Sequence, residues 1–540
     1  MLNEDKIIEQ TAEEWNPEST WRRINSFITG VFVVYVLAVF PILYHNHYFD
    51  ILIFKYQAYY VSALILAALV LINTLVFLYR SRKWSGENRI RNIFSGISCK
   101  KMRLVDWALF AFVIAAAIST FQSDYFYESF WGNEGRLCGL FLILIYGISY
   151  FIVTNCLRFK RIYLDLFLGA GIIVCFIGIL HYFKIDPLGF KIGLSEGDSK
   201  IFSSTIGNIN TYTSYIALVI GVAAVLFCDE KKMKRKLFYC LAVVVALLGM
   251  ITGISDNAYL TLMGLFGLLP LYLFVNIRGV KHYTMLLATL ITEIQVIGWI
   301  NQMIPEHVIG IDGLFQFITG FKGTPFIAAF LWIVTIILQL VETDKKKKNI
   351  VLKNTNTGRW FWISFIVIVC VIAAYVLYDV NILKNVEKYG SLRSYLLFDE
   401  DWGTHRGYIW GLALNIFHDF PLHHQLFGSG PDTFGIITVT EHMTEMYGKY
   451  YEKYDSVHNE YIQYLVTIGI VGLISYLTFL GSAVLHMIRN AKRNPVLMAV
   501  MFGSLCYMIQ ATVNISVPLV APIMMTLIMV GVSKKDEIIE

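Results

Sequence analysis

The sequence predicts an all-α, polytopic membrane protein of about 14 transmembrane helices, with one large, partly helical extracellular loop. Three observations predict it. Of 540 residues, 56% are hydrophobic and only 15% are charged, against about 25% charged in an average soluble protein. The apolar residues gather in fourteen blocks of the length that a bilayer demands, about 20 residues for ~30 Å of hydrocarbon. No Lys or Arg falls inside any block. The blocks do not alternate as barrel strands do, so the spanning elements are helices that satisfy their own backbone groups. With a mean hydropathy of +0.59, these features exclude a soluble enzyme, a disordered chain and a secreted disulfide scaffold.

Taken in order, residues 1–25 are a polar tail, expected to be cytoplasmic. Blocks at 26–44, 59–79, 104–121, 138–156, 163–183, 209–228, 237–253, 257–276, 284–303, 325–342 and 360–379 make the first eleven helices, within 26–379. Residues 380–461 form the large loop. Blocks at 462–486, 495–513 and 516–532 make the last three helices, within 462–533, and 534–540 is a second cytoplasmic tail. Charge sets the orientation. With the N-terminus inside, inner segments hold 32 of the 44 Lys and Arg and outer segments 12. Lys6, Lys534 and Lys535 are among the inner ones. The first block follows polar residues and lacks a small-x-small site, so no cleavable signal peptide is expected. The net charge of +5 belongs to loops facing anionic lipid and is no nucleic-acid footprint. None of the eight Cys lies in 380–461, and Cys99 falls in an inner loop, so no structural disulfide is expected in the large loop.

The large loop is rich in aromatic residues, a composition that suits folding and not disorder. Thr404-His405-Arg406-Gly407-Tyr408-Ile409-Trp410 opens a helical pattern with Arg406, Trp410 and Phe417 near one face. With Thr404 as N-cap, arginine and helix start together favour an anion. A surface helix whose arginine pairs with Asp399, Glu400 or Asp401 is the competing reading. Phe427-Gly428-Ser429-Gly430-Pro431-Asp432 is a tight turn that either brings backbone close to a substrate or is only a turn. Asp455 or Ser456 can cap the next helix, which puts His458 in its first turn. A helix start disfavours imidazolium, so His458 is a candidate neutral general base, or an ordinary interfacial His.

Arg136 sits in Trp131-Gly132-Asn133-Glu134-Gly135-Arg136, one of three outer-face arginines with Arg393 and Arg406. Arginine suits bidentate phosphate binding; anchoring at the interface beside Trp131 is the alternative. Asn208 and Asn210 precede a block and either bind a sugar or head group or cap the helix. Glu293, mid-block, is an intramembrane carboxylate with no partner to name. Six loop histidines show no strong metal spacing, and neither a metal nor a cofactor is expected.

Together these elements resemble the O-antigen ligase and O-antigen polymerase superfamily. The residues that carry the resemblance are Trp131-Gly132 with Arg136 and Gly139, Gly207-Asn208-Ile209-Asn210, and Arg406-x-x-x-Trp410. Gly428-Ser429-Gly430-Pro431, and Val457-His458-Asn459 followed by Gly469-Ile470-Val471-Gly472, complete it. It covers roughly 104–530. One departure stands out: family members often carry Ser-Arg-Gly-Ala where this chain has Ser255-Asp256-Asn257-Ala258. Arg393 is a candidate replacement for the missing charge.

The resemblance implies a metal-independent, inverting glycosyltransferase of a bacterial cytoplasmic membrane. Its donor is an undecaprenyl-pyrophosphate-linked glycan, and its partners include the bilayer and proteins of chain-length control or export. Arginine charge would stabilise the pyrophosphate leaving group, and a base would take the acceptor proton. On this reading His458, Arg406 and Arg136 are catalytic. Asn459, Trp410, Tyr408, Asn208, Asn210 and Arg393 bind substrate, with Trp410 and nearby tyrosines as stacking surfaces. The acceptor, whether glycan, lipid or protein, stays open. The rival readings are a lipid-linked oligosaccharide flippase or other polysaccharide transporter, and a non-catalytic assembly protein.

Overall fold

The computed structural model describes residues 17–84, 102–311, 313–348 and 355–533. Lys6, Cys99, Lys534 and Lys535 lie outside the described residues. The chain is an all-α polytopic membrane protein. Among the described residues the one strand pairing is a two-residue antiparallel ladder, Phe202–Ser203 against Gly207–Asn208. Among the described residues eleven helices are long and apolar enough to cross a membrane, and three shorter apolar helices accompany them. Each corresponds to one apolar block of the sequence.

The first five are α1 (Pro17–Val34, continued by a π turn Tyr35–Val39 and a 3-10 turn Phe40–Ile42), α2 (Ile51–Trp84), α3 (Leu104–Phe121), α4 (Leu140–Cys156) and α5 (Ile162–Tyr182). Then come α6 (Ile209–Asp229), α7 (Met233–Thr252), α8 (Asn257–Leu273), α9 (Ile277–Met303), α10 (Thr324–Lys347) and α11 (Thr357–Asn381). The long loop carries α12 (Trp402–Asp419), α13 (Leu422–Phe427), α14 (Phe434–Glu441) and α15 (Met443–Tyr450). The chain closes with α16 (Glu460–Asn490), α17 (Val496–Gln510) and α18 (Ala521–Val532).

Helix α6 is the axis of the bundle: every residue from Thr211 to Cys228 is buried. Its closest approach is to α17, where a Cβ on Gly221 would lie 2.6 Å from the Gly503 Cα. Small residues let helix backbones meet where apolar burial gives no preference between lipid and protein. Helices α2, α10 and α11 are the least covered and present their large apolar side chains outward.

The ends of the helices depart from the blocks in two ways. Helices α2 and α9 start earlier, at Ile51 and Ile277, and so take in Lys55 and Lys281. Both cations are provided for: Lys55 donates to the Pro41 carbonyl at 3.2 Å, and Lys281 pairs with Glu342 of α10. A buried charge is tolerated when such a partner is built in. Helix α18 starts later, at Ala521 and not 516, because Pro518 offers no N–H and pushes its predecessor out of the helical region. Glu293 lies buried in α9, and neither carboxylate oxygen has a hydrogen-bond partner among the described residues.

Helix α16 is broken at Gly469, where φ is 76° and ψ −177°. The break frees the carbonyls of Val466 and Thr467. They accept from Ser429 N at 3.1 Å and Gly430 N at 3.0 Å, and Ser119 Oγ donates to Thr467 O at 2.7 Å. The 428–430 turn therefore docks on the broken helix. A Cβ on Gly428 would come within 2.3 Å of Thr467 and Ile468 backbone, and one on Gly469 within 2.4 Å of Leu426 backbone. Two glycines far apart in sequence are needed at one contact. Above it the long loop has its own apolar cluster, including Tyr408, Leu412, Ile416, Phe434, Ile437 and Met446, with Val466 of α16 beneath.

Gly469→Ala is expected to loosen this docking. The positive φ alone costs on the order of 1–3 kcal/mol, before the clash. Limited proteolysis within 380–461 should accelerate and the melting temperature fall. Gly481→Ala, on the same helix with open space around it, should be neutral or stabilising by up to about 1 kcal/mol. Equal behaviour of the two variants would refute this account of the break.

Candidate active site

The docked turn leads into Asp432, a buried residue with φ of 64°. Its Oδ2 accepts from Asn133 N at 2.8 Å and Cys138 N at 3.0 Å. One carboxylate thus pins both ends of the turn that carries Arg136. Burial pushes the Asp432 carboxyl up to about 7, against the two N–H bonds and Arg136, which favour its charge. Arg136 in turn donates to Asp455 Oδ1 at 2.7 Å and Ser456 Oγ at 3.3 Å, while its Nε is buried without a partner. Arg136 therefore touches the segment just before His458.

Arg406 reaches the same segment from α12. Gly403, Thr404 and His405 form a left-handed run, with φ of 64°, 57° and 65°, so the regular helix begins at about Arg406. Thr404 does not cap it: its hydroxyl donates to the Gly403 carbonyl at 2.6 Å. Three consecutive left-handed residues, two of them not glycine, store strain that surrounding contacts must hold. Arg406 is 9% exposed. It donates from one Nη to the Gly403 carbonyl at 2.7 Å and to Thr404 Oγ1 at 3.4 Å, and its Nε is buried without a partner. Both acceptors are neutral. The competing pairing with Asp399, Glu400 or Asp401 does not form; the carboxylate whose charge bears on Arg406 is that of Asp256.

His458 stands between these two arginines, with φ of 52°. Asn459 is the N-cap of α16, its Oδ1 accepting from Tyr461 N at 3.0 Å and Ile462 N at 3.1 Å. The cap is thus neither Asp455 nor Ser456, and His458 lies before the helix and not in its first turn. Its pKa is held down to about 4, first by burial and then by the charges of Arg136 and Arg406, against Asp455. Burial and the two arginines, not the helix start, favour the neutral imidazole. Neither ring nitrogen has a hydrogen-bond partner among the described residues. The backbone before it is clamped: Val457 N donates to Gln463 Oε1 at 3.0 Å, and Trp410 Nε1 donates to Val457 O at 3.0 Å.

His458, Arg406, Arg136, Asn459 and Trp410 are therefore brought together. Trp410 is spoken for by Val457 and by its tilted contact with Trp402, 5.3 Å between ring centroids. It braces the His segment, which differs from the stacking surface expected of it. Tyr408 is not at the site. Two positions from Arg406 on a helix it faces away, is 5% exposed, and donates to Glu445 Oε1 at 3.0 Å inside the loop cluster. Arg393 is also elsewhere, 58% exposed and paired with Glu387 at 3.3 Å; it does not replace the missing family arginine. Asn208 caps α6 through Asn210 N at 2.9 Å. Asn210 Oδ1 accepts from Ser255 Oγ at 2.7 Å, and its carbonyl accepts from Asn514 at 3.0 Å. Asn210 thus ties the turn bearing Asp256 to the start of α6. Asp432 and Gln463 were not singled out as site residues; their only signals were a Pro-Asp after the Gly-x-Gly and a polar residue in an apolar helix start.

A small cavity of about 30 Å³ lies beside Arg136 and Ser456, bounded also by Asp432, Glu460 and Gln463. It suits one water-sized guest. Among the described residues no three His, Cys, Asp or Glu side chains are grouped as a metal would need.

Residues 313–477 match the family model described as O-Antigen ligase. This stretch is similar to the O-antigen ligase family. It holds Arg406, Trp410, the 428–431 turn, His458 and Asn459, while Arg136, Asn208 and Asn210 lie before it. No curated protein matches the chain. The match to the family model supports a membrane enzyme of the ligase and polymerase type.

Asp432 offers a check on the docking. Asp432→Ala leaves two buried N–H groups without an acceptor and should cost on the order of 2–5 kcal/mol, read as a lowered melting temperature. Asp432→Asn retains an acceptor oxygen. Because the folded-state pKa of Asp432 is raised to about 7, its contribution is full at acid pH, and is lost as pH rises from about 4 through 7. The Asn variant should lack that decline. A pH-melting profile identical to wild type would refute the assignment.

Proposed function

We propose that this protein transfers a glycan from an undecaprenyl-pyrophosphate-linked donor to an acceptor hydroxyl, on the outer face of a bacterial cytoplasmic membrane. The observation that carries the reading is Arg406: a guanidinium nine-tenths buried, held by neutral oxygens only, in one cluster with a neutral His458 and a second arginine. Such a site gains from an incoming anion and has a base ready at neutral pH.

The acceptor oxygen attacks the anomeric carbon while its proton passes to a ring nitrogen of His458. The bond from the anomeric carbon to the pyrophosphate oxygen breaks, and its electron pair leaves with the pyrophosphate. Arg406 and Arg136 receive the charge, and Arg136 exchanges Asp455 for a phosphate oxygen. Direct displacement inverts the anomeric configuration. No step calls on a metal, since two guanidiniums supply the positive charge. The Asn459 amide oxygen caps α16, which leaves its nitrogen to orient His458 or a sugar. The acceptor class is left to assay.

His458→Ala should abolish transfer with donor binding retained. Arg406→Gln should lower turnover by about 10²–10³-fold and weaken donor binding. Both are read with purified protein and a lipid-linked donor in detergent or nanodiscs. A fully active His458→Ala protein would end the catalytic assignment.

The pH dependence has a defined sign. The base is neutral above its folded pKa of about 4, so kcat/KM should fall as pH drops through about 4, below the ordinary histidine range near 6.5. Removing a cation raises that pKa, and removing the anion lowers it. By NMR of ring-labelled histidine, Arg136→Gln should therefore move the His458 titration upward and Asp455→Asn downward. Unmoved titrations would separate His458 from both charges.

A further inference from the structure

At the end of the bundle away from the long loop lies a much larger cavity, of about 580 Å³. Its place follows from the topology: α11 begins there, at Thr357, and ends at Asn381, where the long loop starts. Lys231, Arg278 and Arg359 line it, against one carboxylate, Asp229. Asp229 already accepts from Tyr272 Oη at 2.7 Å. Two further acids of this region are engaged: Glu230 pairs with Arg161 at 2.6 Å and accepts from Lys231 N and Lys232 N at 2.7 Å, and Glu342 is held by Lys281 and by Lys346 at 2.9 Å. None of the three lining cations forms an ion pair with a carboxylate among the described residues. Arg359 donates to Asn356 Oδ1 at 3.3 Å, and its Nε is buried without a partner.

The backbone adds to this charge. Helices α9, α11 and α17 all start at the cavity, which Asn276, Gly279, Asn356 and Pro495 help to line. Each start contributes a positive dipole end, although Gly279 N is taken up by Asn276 Oδ1 at 3.0 Å and Val496 N by Asn494 Oδ1 at 3.2 Å. Helices α6 and α8 end there, but some of their last carbonyls are taken by Glu230 N, Phe274 N and Val275 N. Leu273, Val275 and Cys228 supply an apolar wall. Basic pockets between membrane helices are the usual seats of phosphate head groups, and the volume is that of a small-molecule site.

We propose that this cavity binds a phosphate-bearing anion, with Arg278 and Arg359 clasping the phosphate and Lys231 at the rim. The same chemistry is presented by an anionic lipid head group and by a soluble phosphate compound. The site shares no residue with the His458 cluster, so its test does not depend on the transfer reaction.

The full-length protein would be melted in nanodiscs of phosphatidylcholine alone or with cardiolipin, and separately in detergent with added inorganic phosphate or pyrophosphate. A saturable rise in melting temperature is expected, with apparent affinity reduced at least tenfold in Arg278→Gln/Arg359→Gln. A rise with cardiolipin alone identifies a lipid head group; a rise with phosphate or pyrophosphate identifies a soluble compound. Should the double variant melt early without any addition, the exposed Lys231→Gln reads the same loss at a side chain that the fold does not use. No rise with any probe, or a rise unchanged in the variants, overturns the proposal.

Discussion

A helix broken inside a membrane protein leaves carbonyls that lipid cannot satisfy, and the active end of this molecule is organised around that constraint. Once α16 breaks at Gly469, Val466 and Thr467 need donors. Ser429 N, Gly430 N and the Ser119 hydroxyl supply them. The consequences then run in one direction. The docked turn delivers Asp432, Asp432 pins the Arg136 turn, and Arg136 grips Asp455 and Ser456. On the other side of the His458 segment, Gln463 and Trp410 hold Val457. The imidazole is positioned by a relay of backbone contacts, with no direct hydrogen bond of its own among the described residues.

Electrostatics explains why that freedom is useful. An imidazole with a carboxylate partner would be drawn toward the charged form. Here burial and two guanidiniums outweigh Asp455 and keep it neutral. The cost falls on backbone geometry. His458, Asp432, and the 403–405 run all sit at positive φ, the kind of strain that persists only where neighbouring contacts over-determine it. Left-handed residues in the loop and a buried, neutrally solvated Arg406 occur at the same place.

Most of the fold was legible because lipid imposes a coarse code: apolar blocks of membrane length show the crossings almost directly. Their ends were less so, since Lys55 and Lys281 are polar letters whose partners, Pro41 and Glu342, lie on other segments. Within the site, Arg406, Arg136 and His458 stood out by residue type and position. Their supports did not, because each support is a long-range contact to backbone. Trp410 reads as a stacking ring until Val457 is seen beneath its N–H. Tyr408 reads as a neighbour of Arg406 until the helix phase turns it into the loop cluster. Asn459 displaced Ser456 and Asp455 as cap because His458 takes a left-handed conformation, which a rule about capping residues cannot foresee.

The two arginines are not equivalent, and the difference bears on how a charged donor would enter. Arg136 already holds Asp455, in a pair 25% and 40% exposed. Such pairs are worth only about 0–1 kcal/mol, so a phosphate oxygen can displace the carboxylate at little cost. Among the described residues Arg406 has no ion pair to give up, and the field of Asp256 bears on its charge. Where family members often carry an arginine at that position, this chain sets an acid, which lowers the positive potential at the site's edge. The buried guanidinium is thus the stronger anchor, and the exposed one is a contact that trades partners. With acids set beside both cations, net charge alone would not draw in the proposed anion; the asymmetry between a committed and an uncommitted guanidinium would.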